Sequence, residues 1–193
     1  MSFLKTNYSE VEQNSGSYGA LPTGNYEVVI NKVEERQTPN GKESLNFDLI
    51  VRNDLTKVPE LSETNGKYAD RHIFNDNWKR NINGEYDYDK NQFMYYLKAA
   101  QIPEGTEIRD LNHLCELLTK KPVRVYVKKE ENTYKGETQE VNTVAPWGYS
   151  PTKYENVNHQ YKDKSSGGQQ SNQESNPFDN APENDIDMND MPF

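Results

Sequence analysis

Ser44-Leu45-Asn46-Phe47-Asp48-Leu49-Ile50-Val51 sets a large apolar side chain at every second position. Period two puts Leu45, Phe47, Leu49 and Val51 on one face of a β-strand. Just upstream, Pro39-Asn40-Gly41-Lys42 is a turn, because Asn-Gly tolerates positive φ. Before that turn, Tyr26, Val28 and Ile30 line one face of a second strand, which follows Pro22-Thr23-Gly24 and extends toward Val33. The whole stretch is a β-hairpin with one apolar face.

Working outward, residues 1–20 are a polar lead-in containing Gln13-Asn14-Ser15-Gly16-Ser17, and order is expected from Leu21. Residues 54–66 are rich in turn formers and charge, as a surface loop is, and a further strand is expected over 67–74. Around it Tyr68, Arg71, His72, Phe74, Trp78, Lys79 and Arg80 interleave rings with cations. A stacking surface for unpaired bases has that composition. An ordinary strand with an aromatic core face and a charged outer face fits it equally well.

Asp89 is placed to cap a helix whose Phe93, Tyr96, Leu97 and Ala100 follow the i, i+3, i+4, i+7 spacing of one buried stripe. A shorter helix from Asp110 is expected to bury Leu111, Leu114, Cys115 and Leu118, which makes Cys115 a small hydrophobe rather than a nucleophile. Pro122 ends it. Val123, Val125 and Val127 then alternate with Arg124, Tyr126 and Lys128, so a Tyr ring flanked by two cations faces away from the valines. A loop over 130–136, containing Tyr134, leads to a returning strand over 137–144. Pro146-Trp147-Gly148-Tyr149 closes the domain as an aromatic plug or as more of the binding surface.

Two hairpins and a further strand, with helices inserted before the fourth strand, imply a mainly β protein with inserted helices (α+β). The expected form is a small antiparallel β-barrel, OB-fold-like, with a disordered C-terminal tail. The domain boundaries implied are a lead-in over 1–20, one domain over 21–150, a disordered linker over 151–182 and an acidic tip over 183–193. The linker contains Ser165-Ser166-Gly167-Gly168-Gln169-Gln170-Ser171, which cannot bury enough apolar area to order itself.

Charge divides the same way. The formal net charge is −9, the hydrophobic fraction is 32% and the mean hydropathy is −1.11, which suits a domain carrying a sizeable disordered share. Residues 151–193 account for −5 of that charge. Within the acidic body, however, residues 118–136 carry a net +4, a basic ribbon that includes Lys121, Arg124 and Lys128. Thirteen tyrosines against six phenylalanines suit either a wet aromatic surface or rings half-buried on sheets. One cysteine and three histidines exclude a disulfide framework and a Cys/His zinc site, and no apolar run approaches a membrane span. Absence of Walker-type and dinucleotide motifs argues against an enzyme, and no cofactor, metal or catalytic residue is expected.

The tip ends Asp185-Ile186-Asp187-Met188-Asn189-Asp190-Met191-Pro192-Phe193. Its aspartates repel one another and keep it extended, Pro192 restrains one φ, and Phe193 supplies a ring for a greasy, basic-rimmed pocket; the alternative is a solubilising acidic tail whose last residue is Phe by chance. Asp190-Met191-Pro192-Phe193 resembles the acidic tip of bacterial and phage single-stranded DNA-binding proteins. By that resemblance Asp185, Asp187, Asp190, Met191, Pro192 and Phe193 dock replication, recombination and repair enzymes. The body, through Leu21-Pro22-Thr23-Gly24-Asn25-Tyr26-Glu27-Val28 and Arg71-His72-Ile73-Phe74-Asn75-Asp76-Asn77-Trp78, resembles a largely uncharacterised family of phage-encoded proteins, some described as single-stranded DNA-binding. These resemblances imply a cytoplasmic location in a bacterial host, no membrane partner, and single-stranded DNA as ligand, with homo-oligomerisation left open. The DNA surface expected is Tyr68, Arg71, Phe74, Trp78, Lys79, Arg80, Lys121, Arg124, Tyr126, Lys128, Tyr134 and Trp147. The rival reading is a DNA-independent adaptor that recruits or sequesters a host enzyme through the tail.

Overall fold

Gly41 sits at φ +77°, and around it Thr38 N donates to Lys42 O (2.8 Å) and Gly41 N to Thr38 O (2.9 Å), so the chain reverses where the Asn-Gly pair directs it. The computed structural model describes residues 19–134 and 137–161, with side chains over 19–133 and 138–161. In chain order the strands are β1 (Gly24–Gln37), β2 (Glu43–Val51), β3 (His72–Trp78), β4 (Arg80–Ile82), β5 (Glu85–Asp87), β6 (Pro122–Tyr134), β7 (Glu137–Thr143) and β8 (Tyr149–Pro151). Helices α1 (Lys90–Ala99) and α2 (Leu111–Leu118) lie between β5 and β6.

The strands pair antiparallel in the order β3-β2-β1-β6-β7, with β8 on β6 and β4-β5 as a separate hairpin. The sheet is not closed into a barrel, contrary to the expectation from the strand count. No ladder joins β3 to β7 among the described residues. A side chain stands in for one: Asn75 Oδ1 accepts from Val144 N (3.3 Å), and Asn75 Nδ2 donates to Tyr149 Oη (3.4 Å).

Paired residues share a face, so the registers fix what points inward. Tyr26, Val28 and Ile30 of β1 meet Val51 and Leu49 of β2 and Val123 and Val125 of β6, all buried. A bulge at Asn31 shifts the alternation, and Val33 rather than Lys32 continues the buried row. The stripe Phe93, Tyr96 and Leu97 of α1 closes the core from one side, and Leu114 and Leu118 of α2 add to it. Each fully buried large apolar side chain contributes about 1.5–3 kcal/mol. Asp89 and Asp110 cap the two helices by accepting from Asn91 N and His113 N.

Three boundaries differ from the sequence reading. The strand expected over 67–74 is instead β3 (His72–Trp78), because a π-helical turn, Ser62–Gly66, carries helical backbone through Lys67 and Tyr68. The loop expected over 130–136 is strand up to Tyr134, since β6 and β7 continue pairing from Lys128↔Thr143 to Tyr134↔Glu137. Residues 151–160, counted with the linker, are bonded to the body, and the compact unit ends at Gln160.

The last of these has a clear cause. Arg52 is fully buried, which is costly unless every donor is met. Its guanidinium grips Asp54 in a two-bonded fork (3.0 and 2.6 Å) and donates to Tyr154 O (2.6 Å), Asn156 O (2.7 Å) and Thr152 Oγ1 (3.3 Å). Beside it the buried Glu27 accepts from Thr152 Oγ1 (2.6 Å) and Lys153 N (3.3 Å). Asn65, also fully buried, bonds Glu27 N and O and Arg52 O. Residues 152–160 are thereby strapped over the outer side of β1 and β2.

Candidate nucleic-acid interface

Alternation along β6 buries Val123, Val125 and Val127 and turns Arg124, Tyr126 and Lys128 outward, as the sequence implies. Tyr126 is 41% exposed, Lys128 and Lys121 are exposed, and Arg124 is half-buried. Among the described residues, none of these three cations has a carboxylate within 4.0 Å. Trp147, 71% exposed, joins them through Gly148. A Cβ on Gly148 would come within 3.3 Å of Tyr126 O and 3.7 Å of Tyr126 Cβ, so glycine permits the close approach that sets Trp147 beside β6. The sequence left Trp147 open between plug and surface. Its exposure places it on the surface, whereas Tyr149 two residues later is the buried ring, tilted against Phe47 (5.8 Å) and Tyr96 (4.8 Å).

On β3, Phe74 (57% exposed) and Trp78 (44% exposed) face outward, and His72 stacks on Phe74 with centroids 5.8 Å apart. Here the charge is mixed. His72 Nδ1 meets Asp48 (2.6 Å), and Asp76 accepts from Ser44 and Asn46. The bonds of Asn75 bring the middle of β3 against the segment 144–149, so Phe74 and Trp147 lie on neighbouring segments on either side of that seam.

The remaining members of the expected surface have other tasks. Tyr68 is half-buried, its ring edge-on to Tyr26 at 6.3 Å, so it belongs to the margin of the core and not to a stacking platform. Arg71 donates to Gly19 O (2.7 Å). Lys79 is held by Glu43 (2.5 Å) and Glu35 (3.1 Å) and lies over the Tyr88 ring at 5.0 Å, and Arg80 pairs with Asp89. Those two charges are largely spent within the protein. The side chain of Tyr134 and the tip residues Asp185, Asp187, Asp190, Met191, Pro192 and Phe193 lie outside the described residues.

Among the described residues, no group of three His, Cys, Asp or Glu is positioned to hold a cation. Burial pushes the Cys115 thiol up to about 11, with Glu35 adding to it, so the thiolate is scarce near neutral pH. Burial likewise raises the Tyr96 phenol to about 12. No helix of the described residues is long and apolar enough to cross a membrane.

Sequence reasoning missed the hairpin β4-β5 and with it Tyr86, the most exposed large ring among the described residues at 75%. The signal was present: Asn83 and Gly84 adopt φ +56° and +97°, as a two-residue hairpin turn requires.

Fold and surface together define an open antiparallel β protein with a small helical layer and an outward strand that interleaves a ring with unpaired cations. Residues 4–173 match the model of DUF669, described as a protein of unknown function, and the chain belongs to that family. No curated protein matches the chain. Among solved structures, a chain from yeast RPA bound to ssDNA aligns with 79% of this chain and 92% of its own length, at 10% identity and a TM-score of 0.35.

Proposed function

We propose that this protein binds single-stranded DNA without reading its sequence. Unpaired bases stack on Tyr126 and Trp147, and Lys121, Arg124 and Lys128 hold the flanking phosphates. The observation that carries this reading is an exposed Tyr ring on a strand between cations that have no acidic partner among the described residues, with a second exposed ring, Trp147, beside it. An acidic protein gains nothing in stability from leaving that ribbon uncompensated, and a polyanion is the ligand that compensates it. No residue turns anything over in this reading.

Gel shifts with oligo-dT and with duplex of equal length test it. Retardation of oligo-dT at concentrations that leave duplex free is expected. Equal affinity for the two overturns it, and failure to bind either supports the DNA-independent adaptor.

The second half of the proposal concerns residues 185–193, which dock replication, recombination or repair enzymes through Phe193, Pro192 and the aspartates. Phe193→Ala is expected to abolish enzyme capture in a pull-down while oligo-dT binding persists. An unchanged set of captured proteins means that the acidic segment only keeps the protein dispersed.

A further inference from the structure

Lys79 N donates to Glu43 O (3.0 Å) and its ammonium bonds the Glu43 carboxylate, so the chain entering β4 is pinned beside the 38–42 turn. A cleft of about 760 Å³ lies between that turn and the strands of the β4-β5 hairpin. Ligand clefts commonly enclose about 300–1,000 Å³. Its two rings are Trp78, leaving β3, and Tyr86, on β5. Its other lining groups are amide, glycine and charged residues; Lys79 is paired with Glu43 and Glu35 and Arg80 with Asp89, which leaves the Lys42 ammonium for a ligand. No aliphatic side chain lines it.

That lining discriminates between occupants. An apolar helix or peptide needs a Leu- or Met-type floor, which is missing. A planar aromatic ligand carrying negative charge meets two rings for its faces and a cationic rim for its charge. Lys42 has no carboxylate within 4.0 Å among the described residues, while Lys79 is engaged as the pin. We propose that this cleft is a second DNA subsite, in which Trp78 and Tyr86 clamp an unpaired base and Lys42 takes a flanking phosphate. The inference rests on the single-stranded DNA reading given above and extends it to residues on a different part of the sheet. A strand held at both places runs from the Tyr126 and Trp147 surface along the β3 side, past Phe74, to the cleft.

The two tryptophans of the chain allow a direct test, since Trp147 belongs to the first surface and Trp78 to the cleft. In Trp147→Phe protein, titration with a 20-nucleotide oligo-dT is expected to quench the emission of Trp78 saturably. Adding Tyr86→Ala is expected to weaken that titration by about 5- to 150-fold, the span corresponding to loss of one base–ring stack. Tyr86→Phe, which keeps a ring, is expected to restore it. Tyr86 is exposed, and an unchanged melting temperature of each variant separates lost contact from lost fold. If Trp147 in Trp78→Phe protein is quenched but Trp78 in Trp147→Phe protein is not, the cleft is no DNA subsite and the first surface stands. If neither is quenched and oligo-dT is not shifted on a gel, the DNA reading itself fails and the cleft falls with it.

Discussion

Tyr126 and Tyr68 illustrate how one residue type takes two roles within one sheet protein. Tyr126 is outward on a strand whose other face is valine, and Tyr68 leans on Tyr26 at the margin of the core. Tyr126→Ala is expected to weaken oligo-dT binding by about 1–3 kcal/mol with little change in melting temperature. Tyr68→Ala is expected to do the reverse, costing about 2 kcal/mol of stability and leaving affinity unchanged once unfolding is allowed for. A calorimetric melt beside a binding isotherm for each variant checks both. The sequence pointed to Tyr126 because strict alternation with three valines leaves its orientation no choice. It left Tyr68 ambiguous because the residues before His72 have no period of their own. Arg52 was equally hidden: it shares the parity of Asp48 and Ile50, which reads as solvent-facing, and its burial depends on residues a hundred positions later.

At the level of elements, the strap over 152–160 is the feature with the clearest dependence on conditions. His159 is 7% exposed, and its Nδ1 accepts from Asn53 N (3.2 Å), which requires the neutral ring. Burial lowers its pKa, opposed by Asp70 and Asp54 and assisted by Arg52 and Lys120. The unfolded chain therefore binds a proton that the folded chain refuses, and stability falls as the pH drops below about 6.5. Asp54 acts lower on the scale: burial pushes its carboxyl up, but the Arg52 fork and the Asn158 N–H outweigh that and hold it below the usual range. A melting temperature that declines between pH 7.5 and 5.5, with the decline flattened in His159→Gln, is expected. Parallel curves for the two proteins would show that His159 does not carry the effect. The same scale shows the limit of local motifs. Asn-Gly occurs at 40–41, 65–66 and 83–84. The first and third are hairpin turns, whereas the second is a buried plug whose Asn65 satisfies Glu27 and Arg52, and only tertiary context separates them.

Over the whole molecule, a net charge of −9 coexists with cations that have no acid partner among the described residues, and affinity for a polyanion depends on those that lie beside exposed rings. With Lys42, Lys121, Arg124 and Lys128 each meeting a phosphate, the slope of log affinity against log salt is expected near −3, from about −0.7 per contact on single strands. Isotherms on oligo-dT between 50 and 300 mM salt, about the range over which such slopes are read, measure it. A flat response would leave stacking alone to account for binding. The arrangement of β1 has a consequence of another kind. It pairs with β2 through a five-residue connection, but its other edge pairs with β6, where Gly24 meets Val127. During synthesis the first hairpin is complete long before β6 exists, and at about 5–20 residues per second the open edge beside Val28, Val29 and Ile30 waits for several seconds. A chain in that condition presents a row of unpaired amides next to apolar side chains, so the interval between making residue 51 and residue 127 is when this protein is most exposed to misassociation.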